Sequence, residues 1–209
     1  MTAANAVRSL NRSAYEAIAV DWDNSRGGLT KDEARLFDLA LRPVAIHSRV
    51  LDLGCGTGRP VADLVIQRKL HLIGVDNSPA MLALARRRLP GCEWVLAPIE
   101  EFVLTSEVAA VVVWDSIFHI PREHHAQIFQ KVRTWLATGA SFLLTVGGTA
   151  GGPFTASMHN ELFFFDSLPL HRTHADILDA GFKIEASEYL DMPSEHGDRG
   201  RVAILARAV

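Results

Sequence analysis

Val50-Leu-Asp-Leu-Gly-Cys-Gly-Thr-Gly58 is the stretch on which the fold turns. Arg49 to Leu53 reads as a strand that runs straight into Gly54-Cys-Gly-Thr-Gly58, and Pro60 then suits the first turn of a helix, where its missing N–H costs nothing. Glycines 54, 56 and 58 have no Cβ, so the backbone can turn tightly and a ligand can lie against the main chain. His71 to Val75 is the next strand, closed by Asp76. An aspartate at that place, eighteen residues after the last glycine, can accept from both hydroxyls of a ribose. A dinucleotide-binding loop uses similar parts but spaces its glycines G-x-G-x-x-G. Here the spacing is G-x-G-x-G with Asp52 inside the strand, an acid that repels a pyrophosphate and welcomes the ammonium of an amino-acid-bearing nucleoside. A plain strand-to-helix turn accounts for one or two glycines. It does not account for three alternating ones and two placed aspartates in a β-α-β frame.

Outward from that frame, apolar β-type runs alternate with helical patterns from Arg49 onward, the signature of an α/β sheet. Ser78-Pro79 starts a helix whose face is Leu82, Ala85 and Leu89; Arg86, Arg87 and Arg88 stand in its last turn as a solvated run, and Pro90-Gly91 stops it. Glu93–Ala97 is a third strand, and Ala109–Trp114 a fourth of the kind buried on both faces. Pro121–Leu136 reads as a helix, Gly139 as its break and Ser141–Val146 as strand five. The glycine- and aromatic-rich segment Gly147–Pro169 reads as irregular, with Phe163, Phe164 and Phe165 as core-strand residues or a pocket wall. Thr173–Ala180 is a short helix ended by Gly181, and strands at Lys183–Tyr189 and Arg201–Ala206 complete the chain. Before the sheet, Ala14–Trp22 and Lys31–Leu41 look helical, so residues 1–45 are expected to form a helical cap or lid and 46–209 the main domain.

Composition removes several function classes. With 209 residues, 48% of them hydrophobic, the chain can bury roughly 70% of its extended surface in one core. Twenty-one basic against 24 acidic residues leave a net charge of −3, which supplies no electrostatic ground for binding nucleic acid or an anionic membrane. Two cysteines, Cys55 and Cys92, make no disulfide framework and suit a reducing, cytoplasmic setting. The longest strongly apolar run, Val108–Trp114, is far short of the ~20 residues that span a bilayer, and Met1–Leu10 has no secretory h-region. No histidine or cysteine cluster has metal-ligand spacing, so no metal is expected.

Val50–Gly58 and Val75–Met81 (VDNSPAM) resemble motifs I and II of the class I S-adenosylmethionine-dependent methyltransferases. The likeness continues through Ala110–Val146 and Asp179–Phe182 (DAGF), so it covers the chain from about Arg49. The resemblance implies an α/β three-layer sandwich with a Rossmann-like, seven-stranded, mostly parallel sheet in order 3-2-1-4-5-7-6, parallel except for the last strand. It implies S-adenosylmethionine as cofactor and S-adenosylhomocysteine as product. Gly54, Cys55, Gly56 and Gly58 would pass under the methionyl part, with Asp52 close to it and Asp76 on the ribose. Asn77 and Met81 would approach the adenine or ribose, and Ile99 and its neighbours would flank the ring. Asp115 and Ser116 would border the methyl-transfer site, and Tyr15 and Trp22 would close over the cofactor as aromatic lid residues. The family's usual acid after strand 3 is replaced by Ala97; backbone at Pro98-Ile99 or the Glu100 side chain stands in for it. Ala109-Ala110 stand where an aspartate often begins strand 4.

His119, just past strand 4, could accept a proton from an acceptor or orient a polar group, or it could be a loop histidine bonded to backbone. His124 and His125 are expected to face solvent, Cys55 sits where a helix N-terminus lowers a thiol's pKa, and Ser194–Gly200 reads as a polar hairpin turn without chemistry. Base-modifying relatives typically carry Asn/Asp-Pro-Pro-Tyr/Phe after strand 4, where this chain has Asp115-Ser-Ile-Phe118. A small-molecule acceptor therefore fits better than nucleic acid, in a monomer or homodimer. The alternatives are a non-catalytic S-adenosylmethionine-binding regulatory protein and, with the glycine spacing against it, an NAD(P)-linked oxidoreductase.

Overall fold

The computed structural model describes residues 3–149, 151–194 and 199–209. Seven strands form one sheet: β1 (Arg49–Leu53), β2 (His71–Asp76), β3 (Glu93–Leu96), β4 (Val108–Val113), β5 (Leu136–Gly147), β8 (Phe182–Asp191) and β9 (Arg201–Ala208). A separate two-stranded hairpin, β6 (Phe154–Met158) and β7 (Glu161–Phe165), is inserted after β5. The sheet order is β3-β2-β1-β4-β5-β9-β8, which is 3-2-1-4-5-7-6 once the hairpin is passed over. β9 runs antiparallel to both neighbours and the remaining strands are parallel.

Side chains alternate across the sheet and feed two apolar layers. Leu51, Leu53, Ile73, Val75, Val111 and Val113 pack on one face with α5 (His125–Arg133) and α6 (Leu170–Asp179). Val50, Leu72, Ala110 and Val112 pack on the other with α2 (Lys31–Leu41) and α3 (Val61–Gln67). α2 is started by a full capping box, in which Thr30 accepts from Glu33 N and Glu33 accepts from Thr30 N, and its Leu36, Phe37, Ala40 and Leu41 belong to the sheet's own core. α4 (Pro79–Arg88) starts at Ser78, whose side chain caps Met81 N.

α1 (Ala3–Ser25) is far longer than its apolar stripe of Tyr15, Ile18, Ala19 and Trp22, because the alanine-rich turns before it carry high helix propensity without amphipathicity. Its Ala14 and Ile18 pack on Phe163 of β7 in a small core of their own. That hairpin corrects the irregular reading of Gly147–Pro169. It turns on His159-Asn160, both in the left-handed region at φ 50° and 65°, a two-residue connection without the Asn-Gly signature that announces such turns. Two further boundaries move. The chain enters α5 through a short 3-10 turn at Arg122–His124 and leaves it at Arg133, where Thr134 Oγ1 bonds back to Lys131 O. Gly139 does not end an element but lies within β5, at φ 83°, in a bulge that shifts register against β4. His125 is buried, its Nε2 2.9 Å from Ile120 O, contrary to its expected exposure. Arg88 is not merely solvated either: it donates to Thr57 O and pairs with Asp23 of α1. Most of the Ser194–Gly200 turn lies outside the described residues.

Phe163 is fully buried between the hairpin and α1. Phe163→Ala is expected to cost about 3–5 kcal/mol, measured by urea unfolding, and to raise amide exchange in α1 more than in β1. Uniform exchange changes across both elements would contradict this account of how α1 is held.

Candidate functional site

Parallel α/β sheets open a crevice at the carboxyl ends of their strands where the order reverses, here between β1 and β4. The glycine loop rises from β1 at that point. Gly54 N and Cys55 N both donate to Val75 O at the end of β2, at 2.8 and 3.0 Å. Asp76 completes the brace: its two oxygens accept from Gly56 N and Ser78 N, each at 2.8 Å, so one carboxylate spans the loop and the start of α4. Burial pushes the Asp76 pKa up, against the pull of the backbone N–H groups of Ser78, Gly56 and Asn77.

The loop glycines have distinct reasons. At Gly54 a Cβ would collide with Ser116, which donates to Leu53 O. At Gly58 it would reach Trp94 at 2.9 Å, which makes Gly58 a packing position. At Gly56, φ 53°, the nearest atom to a Cβ would be Trp22 Nε1 at 3.9 Å, so the main chain there is bare toward the cleft.

The cleft has a volume of about 980 Å³ with its open mouth counted. It brings together Asp52, Gly54, Cys55, Gly56, Asp76, Asn77, Met81, Pro98, Ile99, Glu100, Asp115, Ser116 and His119, with Tyr15 and Trp22 from α1. Gly58 alone of the expected residues lies outside its wall.

Asp52 is the most exacting of these. It is 1% exposed, and neither carboxylate oxygen has a hydrogen-bond partner among the described residues. Burial, then the neighbouring Asp76, push its pKa up to about 8, with Arg26 opposing. An ionised carboxylate in such a place is costly unless a cation meets it. Cys55 does not have the lowered pKa of a helix N-terminal thiol: it is buried, and burial with Asp76 and Asp52 raises it well above the ordinary range. Of the groups beside Ala97, Ile99 O and Glu100 O accept from Lys131 Nζ, while Glu100 Oε1 pairs with Arg8 at 3.3 Å.

α1 is tied over this cleft by polar contacts that the sequence pattern did not signal. Glu16 Oε1 accepts from Ser78 Oγ at 2.6 Å and from Ala80 N at 3.1 Å. Asn11 accepts from Phe164 N and donates to Phe164 O and His119 O. Tyr15 and His119 form a chain. The Phe164 carbonyl, 2.9 Å from Nδ1, can only accept, so Nδ1 carries the proton. Nε2 then accepts from the Tyr15 hydroxyl at 2.8 Å. Burial pushes His119 down to about 4 and the Tyr15 phenol far up, so both are neutral at pH 7.

Asp115, at φ 51° just past β4, accepts from Arg26 Nη2 at 2.8 Å and from Arg201 Nη1 at 2.8 and 2.9 Å. Burial alone would raise its pKa, but Arg201 and Arg26 hold it below the ordinary range. Arg201 also pairs with Glu33 and Asp191.

Residues 50–139 match the family described as a methyltransferase domain. A trans-aconitate 2-methyltransferase of Methylobacterium nodulans is 35% identical over 123 residues, 57% of this chain and 47% of that protein. One from Acidovorax ebreus is 33% identical over 126 residues with the same coverages. The chain thus spans about half the length of the curated relatives it matches. Among solved structures, the DhpI–SAH complex superposes with a TM-score of 0.74 at 18% identity, over 98% of each chain. The Burkholderia thailandensis 1,6-didemethyltoxoflavin-N1-methyltransferase superposes with 0.71 at 16% identity, over 100% of this chain and 92% of that one. These likenesses establish the fold.

Asp52 dictates a pH signature. Its folded-state pKa, about 8, lies above the ordinary ~4 of an aspartate. Its contribution to stability is therefore full below about pH 4 and lost as pH rises through about 8. The Tm difference between Asp52→Asn and the parent, without ligand, is expected to grow in the mutant's favour from pH 5 to pH 8.5. A difference that stays flat over that range would contradict a buried, unpaired Asp52.

Proposed function

We propose that this chain, whose residues 50–139 match the methyltransferase-domain family, is a class I S-adenosylmethionine-dependent methyltransferase that transfers a methyl group to a small-molecule acceptor. The observation that carries the reading is Asp52, a buried carboxylate with both oxygens unpartnered in the wall of a cleft whose glycine loop leaves its main chain bare. That pairing of a cation seat with a close backbone approach suits an amino-acid-bearing nucleoside and does not suit a pyrophosphate. S-adenosylmethionine, when bound, supplies a methyl group on a sulfonium, which is already electrophilic.

The chain's own groups then have binding and orienting work. Asp52 takes the ammonium, and the main chain of Gly54, Cys55 and Gly56 runs beneath the methionyl portion. Each Asp76 oxygen, having accepted one backbone N–H, keeps a lone pair for a ribose hydroxyl. Asn77, Met81, Pro98 and Ile99 enclose the nucleoside, with Glu100 offering a carboxylate to the adenine amine. Asp115 and Ser116 border the transfer site, and Tyr15 and Trp22 close it from α1. Holding two reactants in line and excluding water is worth up to about 7–11 kcal/mol without any bond-making by the protein. The acceptor named for the curated relatives, trans-aconitate, is itself a small molecule, which supports that part of the reading.

His119 acts here as a positioning residue. Its Nε2 lone pair is engaged by Tyr15, and what it does is aim the Tyr15 hydroxyl into the cleft. Tyr15→Phe and His119→Ala should therefore lower the transfer rate by similar factors, with the double mutant no worse than either. The pH–rate profile between 6 and 8 should show no limb that vanishes with His119. Loss of such a limb in His119→Ala would restore it as the proton acceptor.

Binding tests the whole reading. S-adenosylhomocysteine at a hundredfold excess over its dissociation constant should stabilise the protein by ~2.7 kcal/mol, and NAD should not. Two charge-assisted hydrogen bonds of about 1.5–3 kcal/mol each put the loss on Asp76→Ala at two orders of magnitude or more, read by calorimetric titration. A shift with NAD and none with S-adenosylhomocysteine overturns the proposal.

A further inference from the structure

We propose that Lys131, which stands on α5 outside the cleft wall, is a positioning residue for the cofactor's base. It draws the carbonyls of Ile99 and Glu100 away from the ring, so that this segment reads the amino edge of adenine and rejects a purine with an oxo group in the amine's place. The proposal rests on the methyl-transfer reading above and adds to it how one base is told from another.

The first observation is what the segment after β3 has to offer. Ala97 brings no acid, and Pro98 has no N–H. Ala97 N is spent on Asp76 O, and Pro98 O accepts from Glu101 N at 3.1 Å and from Phe102 N at 3.0 Å. Ile99 and Glu100, both in the cleft wall, are left to meet the ring edge. Ile99 also packs on the glycine loop, its Cδ1 3.3 Å from where a Cβ would stand at Gly54.

The second is where the main-chain groups of these two residues point. Lys131 Nζ donates to Ile99 O at 3.0 Å and to Glu100 O at 2.8 Å, and it lies 5.7 Å from the centroid of the Trp135 ring. A trans peptide is planar and sets its N–H opposite its C=O. The Glu100 N–H therefore points away from Lys131, and the Ile99 N–H away from the Glu101 and Phe102 amides that Pro98 O faces. Neither N–H makes a hydrogen bond among the described residues.

The third is the Glu100 side chain. Its Oε1 is held by Arg8 Nη2 of α1 at 3.3 Å, and its Oε2 makes no hydrogen bond among the described residues. The wall thus offers a carboxylate oxygen as acceptor beside main-chain N–H donors. Adenine presents the complement, an amine N–H next to the lone pair of a ring nitrogen. Hypoxanthine reverses both atoms, with an oxo group next to a ring N–H, and sets its oxygen against the carboxylate. Polar groups left unpaired by the wrong ligand are what make such a site selective. Without Lys131 the segment can turn Ile99 O or Glu100 O into the cleft, acceptors that suit the ring N–H of hypoxanthine, and the discrimination falls.

The test is calorimetric titration with S-adenosylhomocysteine and with S-inosylhomocysteine, the same molecule with the amine replaced by oxygen. The parent should prefer the adenosyl ligand by roughly a hundredfold or more. Lys131→Met should cut that ratio by about tenfold or more, and Lys131→Arg, which keeps donors for the two carbonyls, should restore part of it. Lys131→Gln, read the same way, serves if Lys131→Met does not fold. A lysine that only stabilised the fold would, when replaced, weaken both ligands alike. The proposal is therefore overturned if the ratio in Lys131→Met or Lys131→Gln equals the parent's, or if the parent binds the two ligands alike. Failure of the parent to bind either ligand would instead remove the methyl-transfer reading beneath it.

Discussion

One carboxylate holds the site in shape. Asp76 sits where β2 ends, and by accepting from Gly56 N and Ser78 N it joins the glycine loop to the start of α4. Without that bridge two segments rich in exposed N–H groups would have no common partner, and the loop's left-handed residues would have little to define them. The bridge is propagated outward. Ser78, positioned by it, caps Met81 and donates to Glu16, which brings α1 down onto α4.

α1 is the element that turns an open crevice into an enclosed one. Its burial against Phe163 is modest, and its attachment is largely polar: Asn11 to the β7 backbone, Glu16 to α4, Asp23 to Arg88 and Arg26 to Asp115. Contacts of this kind are individually weak at a surface but fix direction well, because each demands a particular geometry. The inserted hairpin has a matching task. It presents the Phe164 carbonyl that sets the His119 tautomer, and through it the aim of Tyr15. The helix thus supplies Tyr15 and Trp22 to the cleft wall, and the hairpin, like it no part of the main sheet, backs it through Phe163.

Charge is concentrated at two places around the cleft: an unpaired acid, Asp52, lies deep in the fold, and Asp115 is gathered under Arg26 and Arg201. Burying Asp52 has a cost in the free protein, and a cation at that place offsets it.

The linear chain by itself determined the alternation of strands and helices, the glycine loop and the placing of Asp52 and Asp76, while the sheet order came only with the family resemblance that those motifs carry. The former are local signals: a strand's periodicity, a turn's need for residues without Cβ, and an acid at a strand end are all written within a few positions. The tertiary structure alone decided Glu16, Asn11, Arg26 and Arg201, the burial of His125, and the pairing of Tyr15 with His119. These depend on contacts between segments about 60 to 170 residues apart, apart from His125, whose burial depends on how α5 packs. No periodicity marks which arginine of many will meet Asp115. The hairpin was hidden for a different reason: its turn is His159-Asn160, a pair whose left-handed backbone is imposed by the pairing of β6 with β7 and by the packing of Phe163 on α1, not announced by its own residues.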